Sequence, residues 1–559
     1  MQLNGASILI ECLLEQGVDT VFGYPGGSVL FIYDALYKYS DKINHILSAH
    51  EQGAAHAADG YARSTGKTGV VIATSGPGAT NLVTGIATAY MDSVPMVAIT
   101  GNVPLNLLGL DSFQEVDITG ITMPITKHNY IVKDISKLAE TVREAFLIAN
   151  SGRPGPVLID IPKDITATMC SYTPEVPQNP TVSCDVTEQE LDQIAQIISK
   201  SDRPFIYTGG GVIISDAAEE VHKLATLCDA PVSSSLMGKG GFDNTDSSYM
   251  GLLGMHGTKT SSVAVTECDL FIGIGTRFSD RVICDIKSFA PNAEIIQIDI
   301  DPAEINKNIK VNYKLIGDVK AVLTKLLPKI KPQQHKKWID KIYSLNRDYP
   351  LMQTSKNGGV TPEVVIKTLN KLTNNNAIIT TEVGQHQMWA AQFCAVKNPR
   401  HFISSGGLGT MGYGLGAALG AQVGNPTKQV VNIAGDGSFN MNSTELVTAY
   451  KYNIPIIELL FNNNVLGMVR QWQRMFYDKR FSHTTLDRDI SYLKLAEAYN
   501  IMAFQIITAD DVEPVLKKAL AHNGPVLIDC HIDKDINVLP MVPAGAGIND
   551  PILEIEIDD

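Results

Sequence analysis

Two short segments of this sequence carry oxygen chemistry. Gly435-Asp436-Gly437-Ser438 closes one β-like run, and Asn462-Asn463 closes the next. Asp436 and Asn463 are 27 residues apart, the length of one strand-helix-strand crossover. That spacing predicts that they emerge side by side at the carboxyl edge of a parallel sheet. A carboxylate, an amide oxygen and a nearby main-chain carbonyl form a hard, oxygen-only donor set suited to Mg²⁺, which keeps its other positions for water or phosphate oxygens. Gly437 and Ser438 leave the next helix start bare, so a diphosphate can approach its N–H groups and the metal together. A second set lies near the N-terminus. Glu51 opens the alanine-rich run HEQGAAHAADGYAR, between the glycine loops GYPGG (23–27) and TSGPGATN (74–81). Taken alone, a glutamate in a first helical turn is a dipole partner, and the flanking loops are what raise an acid-base reading.

The elements that must position these groups form a long-period repeat. GPVLIDIP at 155–162 recurs as GPVLIDCH at 524–531, an offset of 369 residues. VVIATSGPG, ATAY and VPMVAITGN (70–102) likewise have counterparts in VVNIAGDGS, VTAY and IPIIELLFNN (430–463). Both halves read strand, glycine turn, helix, strand. The reading is α/β: three doubly wound parallel-sheet domains, the first and third related to each other, with a Rossmann-like middle domain. Its boundaries are a first domain at 1–165, a linker at 166–187, a middle domain at 188–327, a linker at 328–357 whose basic, proline-marked start (328–337) reads as solvated, a last domain at 358–540 and a tail at 541–559 that reads as a mobile flap able to order over the site.

The 559 residues allow three to four domains at about 150 residues each. Hydrophobic residues make up 44% and charged residues 19%, a globular composition. Lys and Arg number 45 against 59 Asp and Glu, and the net charge of −14 argues against nucleic acid or an anionic membrane as partner. Eight scattered cysteines, with no C-x-x-C pair, read as reduced thiols in the cytoplasm. The first residues show no signal or transit pattern. Two uncharged stretches, 68–91 and 401–427, are broken by Gly and Pro and read as strand, turn and buried helix, with no membrane span.

GDGSF followed by NN at this distance resembles the diphosphate-binding motif of thiamine-diphosphate enzymes, which pair a pyrimidine-binding domain with a related diphosphate-binding domain. Within that class the chain resembles the acetolactate synthase large-subunit family over its whole length, through GYPGGSVLFIYDAL, SFQEVDITGITMPITKHNY, LLGMHGT, GTRFSDRV, EVGQHQMW, GGLGTMGYGLGAALG and VLGMVRQWQRMFYDKRFSHT.

The resemblance implies thiamine diphosphate, Mg²⁺ and a non-redox FAD. It makes Glu51 the acid that sets the pyrimidine tautomer and puts Gly27 and Ser28 near the thiazolium carbon. Gln114, Lys127, Arg281, Met468 and Trp472 fall at its substrate channel. Val383, Gly384, Gln385 and His386 match its diphosphate loop, and Gly409, Met411 and Met468 its ring contacts. Gly435 to Ser438 and Val465 to Met468, including Leu466 and Gly467, are cofactor-binding by position. Asp436, Asn463 and the Val465 carbonyl are implied metal ligands. Arg153, Gly209, Gly210, Gly211, Met255, His256, Gly257, Gly275, Arg277, Asp299 and Asp318 fall at its FAD positions.

Three residues depart from the pattern. Ser279 stands in RFSDR where a second Asp is usual, Gly416 replaces a proline and is expected to loosen a helix start, and MVPAGAGIND lacks a lysine after its glycine. The implied reaction is decarboxylation of pyruvate and transfer of its two-carbon unit to a second 2-ketoacid, in branched-chain amino-acid biosynthesis. Flavin-dependent pyruvate oxidase and a catabolic, flavin-free acetolactate synthase are the alternatives. A homodimer or homotetramer with sites between subunits, and a small regulatory subunit, are the implied protein partners.

Overall fold

A computed structural model describes residues 1–353 and 359–555. Residues 354–357 of the second linker, residue 358 and the acidic end of the tail, 556–559, lie outside the described residues. Three six-stranded sheets dominate, each built of parallel pairs. Their strands are apolar throughout because helices cover both faces. In the strand Gly69–Ala73, Val70 and Ile72 enter one core while Val71 and Ala73 enter the other. The strand Ile456–Asn462 divides in the same way, with Ile457 and Leu459 opposite Ile456 and Leu460.

The first sheet runs, edge to edge, Asn44–Leu47, Thr20–Gly23, Gly69–Ala73, Met96–Asn102, Pro156–Pro162 and His128–Ile131. The last runs Phe402–Ile403, Ile378–Thr381, Val430–Gly435, Ile456–Asn462, Val526–His531 and Met502–Ile506. Numbered along each domain, both orders are 2-1-3-4-6-5, so the sequence repeat is a repeat of topology. Even a buried polar pair recurs. Asn102 donates to Asp160 at 2.5 Å in the first sheet, and Asn462 donates to Asp529 at 2.9 Å in the last.

The middle sheet has the order 3-2-1-4-5-6, with Pro204–Thr208 and Leu270–Ile274 at its centre. In such sheets ligands collect where the order reverses, outside the strand carboxyl ends. The three reversal points are Thr208/Ile274 in the middle sheet, Gly23/Ala73 in the first and Thr381/Gly435 in the last.

The first and last domains meet through the helices Glu51–Thr65 and Gly414–Gly424. Their facing residues are small, so the backbones nearly touch. A carbon added at Gly420 would lie 1.8 Å from the Ala57 carbonyl oxygen, and one at Gly416 would lie 2.8 Å from Cβ of His56. Gly416 thus serves this close crossing as well as the helix start: it is buried against the neighbouring helix. Arg63 ties the same interface to the loop before the second helix, binding Asp59 at 2.6 Å, Asp92 at 2.9 Å and the Ser404 carbonyl at 2.9 Å.

Two further expectations change. The linker 328–357 contains the helix Lys336–Asp348, whose Trp338 is buried and donates to the Pro204 carbonyl at 3.0 Å. A tryptophan and an isoleucine four residues apart give that segment an apolar stripe, which the middle domain covers. The tail expected to be mobile is docked through residue 552. Ile548 is fully buried, Met541 and Ile552 exchange backbone hydrogen bonds, and the Val542 N–H reaches the Met255 carbonyl at 2.8 Å. The stretches 68–91 and 401–427 fold as strands and short helices, and among the described residues no helix is long and apolar enough to cross a membrane.

Candidate active site

At the reversal point of the last sheet, Gly435 pairs with Phe461, so the strand ends bring Asp436 beside Asn462-Asn463. Asp436 is the first residue of the helix Asp436–Asn442 and is buried. Burial pushes its carboxyl up to about 6, against the backbone N–H groups of Asn463, Gly437 and Asn464 that favour the charged form. Asn463 Oδ1 takes the Val465 N–H at 3.2 Å, and Val465 is buried. Among the described residues no three His, Cys, Asp or Glu side chains gather to hold a metal. The donor set here is instead one carboxylate with amide and main-chain oxygens.

The imidazole of His386 is wedged between two glycines. A carbon added at Gly384 would meet His386 Cε1 at 2.7 Å, and one at Gly435 would meet Nδ1 at 2.5 Å. Burial pulls His386 down to about 3, so the ring is neutral, and its buried Nε2 has no protein partner. Gln385 donates to Gln471 at 2.9 Å and to the Ile536 carbonyl at 3.1 Å, leaving its buried Oε1 unpartnered. Buried polar atoms are ordinarily satisfied, so these two orphans beside Asp436 fit a hydrated, metal-bearing ligand such as a diphosphate, with Gln385 Oε1 able only to accept.

Glu382, which sequence reasoning missed, organises the adjoining loop. Its buried carboxylate accepts the N–H groups of Gly412 at 2.7 Å and Leu415 at 3.0 Å and the Ser438 hydroxyl at 2.6 Å. Its position at the end of a β-run, just before Val383-Gly384, was the available signal. Gly409, with φ of 70°, has open space over its Cα, while Thr410 reaches Thr88 at 2.8 Å. Asp92 accepts the N–H groups of Gly406 and Gly407, fixing this loop against the first domain.

In the first domain Glu51 begins its helix and is 9% exposed. Asn81 donates to one carboxylate oxygen at 2.9 Å, and Gly78 lies against the other. Gly27 is exposed, with open space around it. Ser28 is buried, its hydroxyl bonded to Thr74 at 2.9 Å and to the Ser75 N–H at 2.9 Å, so it braces the two glycine loops at the reversal point. Gln114, at φ 59°, lies over Gly76. Lys127 donates to the carbonyls of Ile148 and Ser151 at the end of the helix Leu138–Asn150, both at 2.5 Å, and burial lowers it to about 8.

All eleven residues read as FAD positions line one cavity of about 850 Å³ at the middle-sheet reversal point. Its floor is backbone: a carbon added at Gly209 would meet the Gly275 carbonyl at 2.1 Å. Asp299 is raised to about 6 by burial, and Asp318 caps the helix Val319–Leu326 through the Ala321 N–H at 3.0 Å. Arg153 bonds to Glu304 at 2.7 Å and to Ser93 at 2.7 Å. Ser279 lies on the same lining. The cavity continues to Val383, Gly384, Gly409, Met468 and Trp472. There the Arg281 guanidinium stands 5.8 Å from the Trp472 ring, whose buried Nε1 has no partner. Met411 is half-buried nearby in sequence, and neither it nor Glu51, Gly27 or Asp436 lines this cavity.

Three family models match, described as the N-terminal (residues 3–121), central (191–326) and C-terminal (382–530) domains of thiamine pyrophosphate enzymes. That is the class this repeated fold and its glycine-lined reversal points define. The chain is 46% identical to a probable acetolactate synthase large subunit of Methanocaldococcus jannaschii, over 100% of this chain and 96% of the relative. It is 48% identical to an acetolactate synthase large subunit of Pyropia yezoensis, over 97% and 94%, and 46% identical to an acetolactate synthase of Arthrospira platensis, over 98% and 97%. The chain belongs to the acetolactate synthase large-subunit family.

Proposed function

We propose that this chain catalyses the acetolactate synthase reaction. Pyruvate loses CO₂, and its two-carbon remainder joins the carbonyl carbon of a second 2-ketoacid. Pyruvate as acceptor gives 2-acetolactate, and 2-ketobutyrate gives 2-aceto-2-hydroxybutyrate, for branched-chain amino-acid synthesis. The observation that carries the reading is the Arg281–Trp472 pair at one end of the cavity that Gly384, Gly409 and Met468 also line. A guanidinium suits a ketoacid carboxylate, and an indole suits the alkyl chain of the acceptor.

When bound, thiamine diphosphate supplies the electron sink for decarboxylation and the nucleophilic carbon for the ligation. Asp436, Asn463 and the Val465 carbonyl would hold Mg²⁺, His386 Nε2 would donate to a diphosphate oxygen once the ligand's charge protonates the ring, and Gln385 Oε1, which can only accept, would take a proton of a water beside the diphosphate. Gly409, Met411 and Met468 would seat the rings. Glu51 would hold a proton at the pyrimidine N1′, its second oxygen fixed by Asn81. Sites shared between the first domain of one copy and the last domain of another, in a homodimer or homotetramer, belong to this reading.

FAD would occupy the middle-sheet groove without exchanging electrons, since two pyruvates give acetolactate and CO₂ with no net redox change. A small regulatory subunit is a further partner of this reading. The eight free cysteines support a cytoplasmic location.

The test is an assay with pyruvate, Mg²⁺ and thiamine diphosphate, with and without FAD, following acetolactate and oxygen together. One acetolactate per two pyruvates with no oxygen consumed is expected. Stoichiometric oxygen uptake without acetolactate would make the chain an oxidase.

A further inference from the structure

A second cavity, of about 330 Å³, lies between the middle and last domains. Lys239, Asn244 and Tyr249 form one wall, and Phe393 and Cys394, at the end of the helix Gln385–Phe393, form the other. Lys239 is only 2% exposed. Its ammonium donates to Asn244 Oδ1 at 2.9 Å and stands 5.7 Å from the Phe402 ring and 6.0 Å from the Tyr249 ring. An ammonium has three donors, and here a single neutral oxygen meets them.

No Asp or Glu is among the described residues that line this cavity. The thiol of Cys394 and the hydroxyl of Tyr249 are both pushed up to about 12 by burial and stay neutral. Burial lowers Lys239 to about 8, which leaves it mostly protonated at neutral pH and without a counter-charge among the described residues. Lys367, at the same cavity, is already neutralised by Glu363 at 2.6 Å. Buried charges in folded proteins are ordinarily paired, and an anion would pair this one. The volume sits at the lower end of the range for small-ligand sites, about 300–1,000 Å³.

We propose that the cavity between the middle and last domains binds a small oxyanion, a carboxylate or a phosphate, through Lys239. Its occupant would lie against structure that serves the active site. Leu252 and His256 line both cavities, and Gln392 bridges the carbonyls of His256 and Leu539, each at 3.1 Å. The helix that ends at Phe393 begins with Gln385 and His386. The proposal does not depend on the reaction assigned above.

The experiment is equilibrium dialysis of enzyme loaded with thiamine diphosphate, Mg²⁺ and FAD, using radiolabelled inorganic phosphate and radiolabelled acetate separately. Prior loading fills the other phosphate-binding sites. Saturable binding of one anion per chain is expected, weakened at least tenfold in Lys239→Met. Acetate alone would mark a carboxylate site, phosphate alone a phosphate site, and both a general oxyanion site. A parallel measurement needs no variant. Acetic anhydride labelling of Lys239, read by peptide mass spectrometry, should slow at least fivefold under the binding anion, while exposed Lys133 is unaffected. Absence of saturable binding, equal binding by the Met variant, a Lys239 that never labels, or labelling indifferent to the anion would each overturn the site.

Discussion

Gly420→Ala probes the crossing that joins the first and last domains, and the structure sets both sign and size. In a helix interior, replacing glycine by alanine alone stabilises by about 1 kcal/mol. At this position the new methyl carbon would lie 1.8 Å from the Ala57 carbonyl oxygen, where ordinary contact needs roughly 3.3 Å. The helices Glu51–Thr65 and Gly414–Gly424 would have to separate by roughly 1.5 Å against rigid backbone, which falls at the upper end, about 2–3 kcal/mol, of what overpacking costs. Subtracting the propensity gain leaves a net loss of roughly 1–2 kcal/mol. For domains of this size that lowers the melting temperature by roughly 2–8 °C. The same separation would strain the Thr88–Thr410 hydrogen bond and the Asp92 contacts that hold the 404–413 loop, so turnover should fall with stability. The assay is thermal unfolding by circular dichroism at fixed cofactor concentration, paired with acetolactate formation. A melting temperature equal to or above the parent's would show that the propensity term wins and that the backbones are not in contact.

Glu51→Gln should retain thiamine diphosphate binding by calorimetry while losing roughly 10²–10⁴ in turnover; near-parental activity would remove Glu51 from proton handling. His386→Ala, which removes a buried ring nitrogen that no protein group meets, should weaken thiamine diphosphate binding by roughly tenfold, and unchanged affinity would place the ligand elsewhere. Trp472→Leu should lower the use of 2-ketobutyrate relative to pyruvate in a competition assay, and an unaltered ratio would take the indole out of the acceptor site. Burial pushes Asp160 up to about 7, above its unfolded value, so its contribution to stability is full below about pH 4 and is lost as pH rises through 7. Asp160→Asn should therefore flatten the fall in stability between pH 5 and 8, measured by urea unfolding, and a slope matching the parent's would assign the proton elsewhere.

Much of the architecture was readable in the chain because it depends on local pattern. Apolar strands broken by glycine turns, and GPVLID occurring twice, announced two related parallel-sheet domains. The 27-residue spacing sufficed to bring Asp436 beside Asn463, since one crossover joins adjacent strands. Composition and cysteine spacing likewise needed no coordinates. What the tertiary structure alone decided was the partners of individual groups. Lys127 resembles a channel residue in its motif, yet its ammonium caps a helix end. Gly416 departs from a motif as a local helix effect, yet what it meets is another helix 360 residues away in sequence. The tail reads as mobile because it is glycine-rich and acidic, but one buried isoleucine and a few backbone bonds dock it. Glu382, the orphaned Nε2 of His386 and the burial of the Lys239 ammonium on one amide oxygen are invisible to spacing arguments. Each depends on desolvation, and desolvation is fixed by what packs from distant parts of the chain and not by neighbours in sequence.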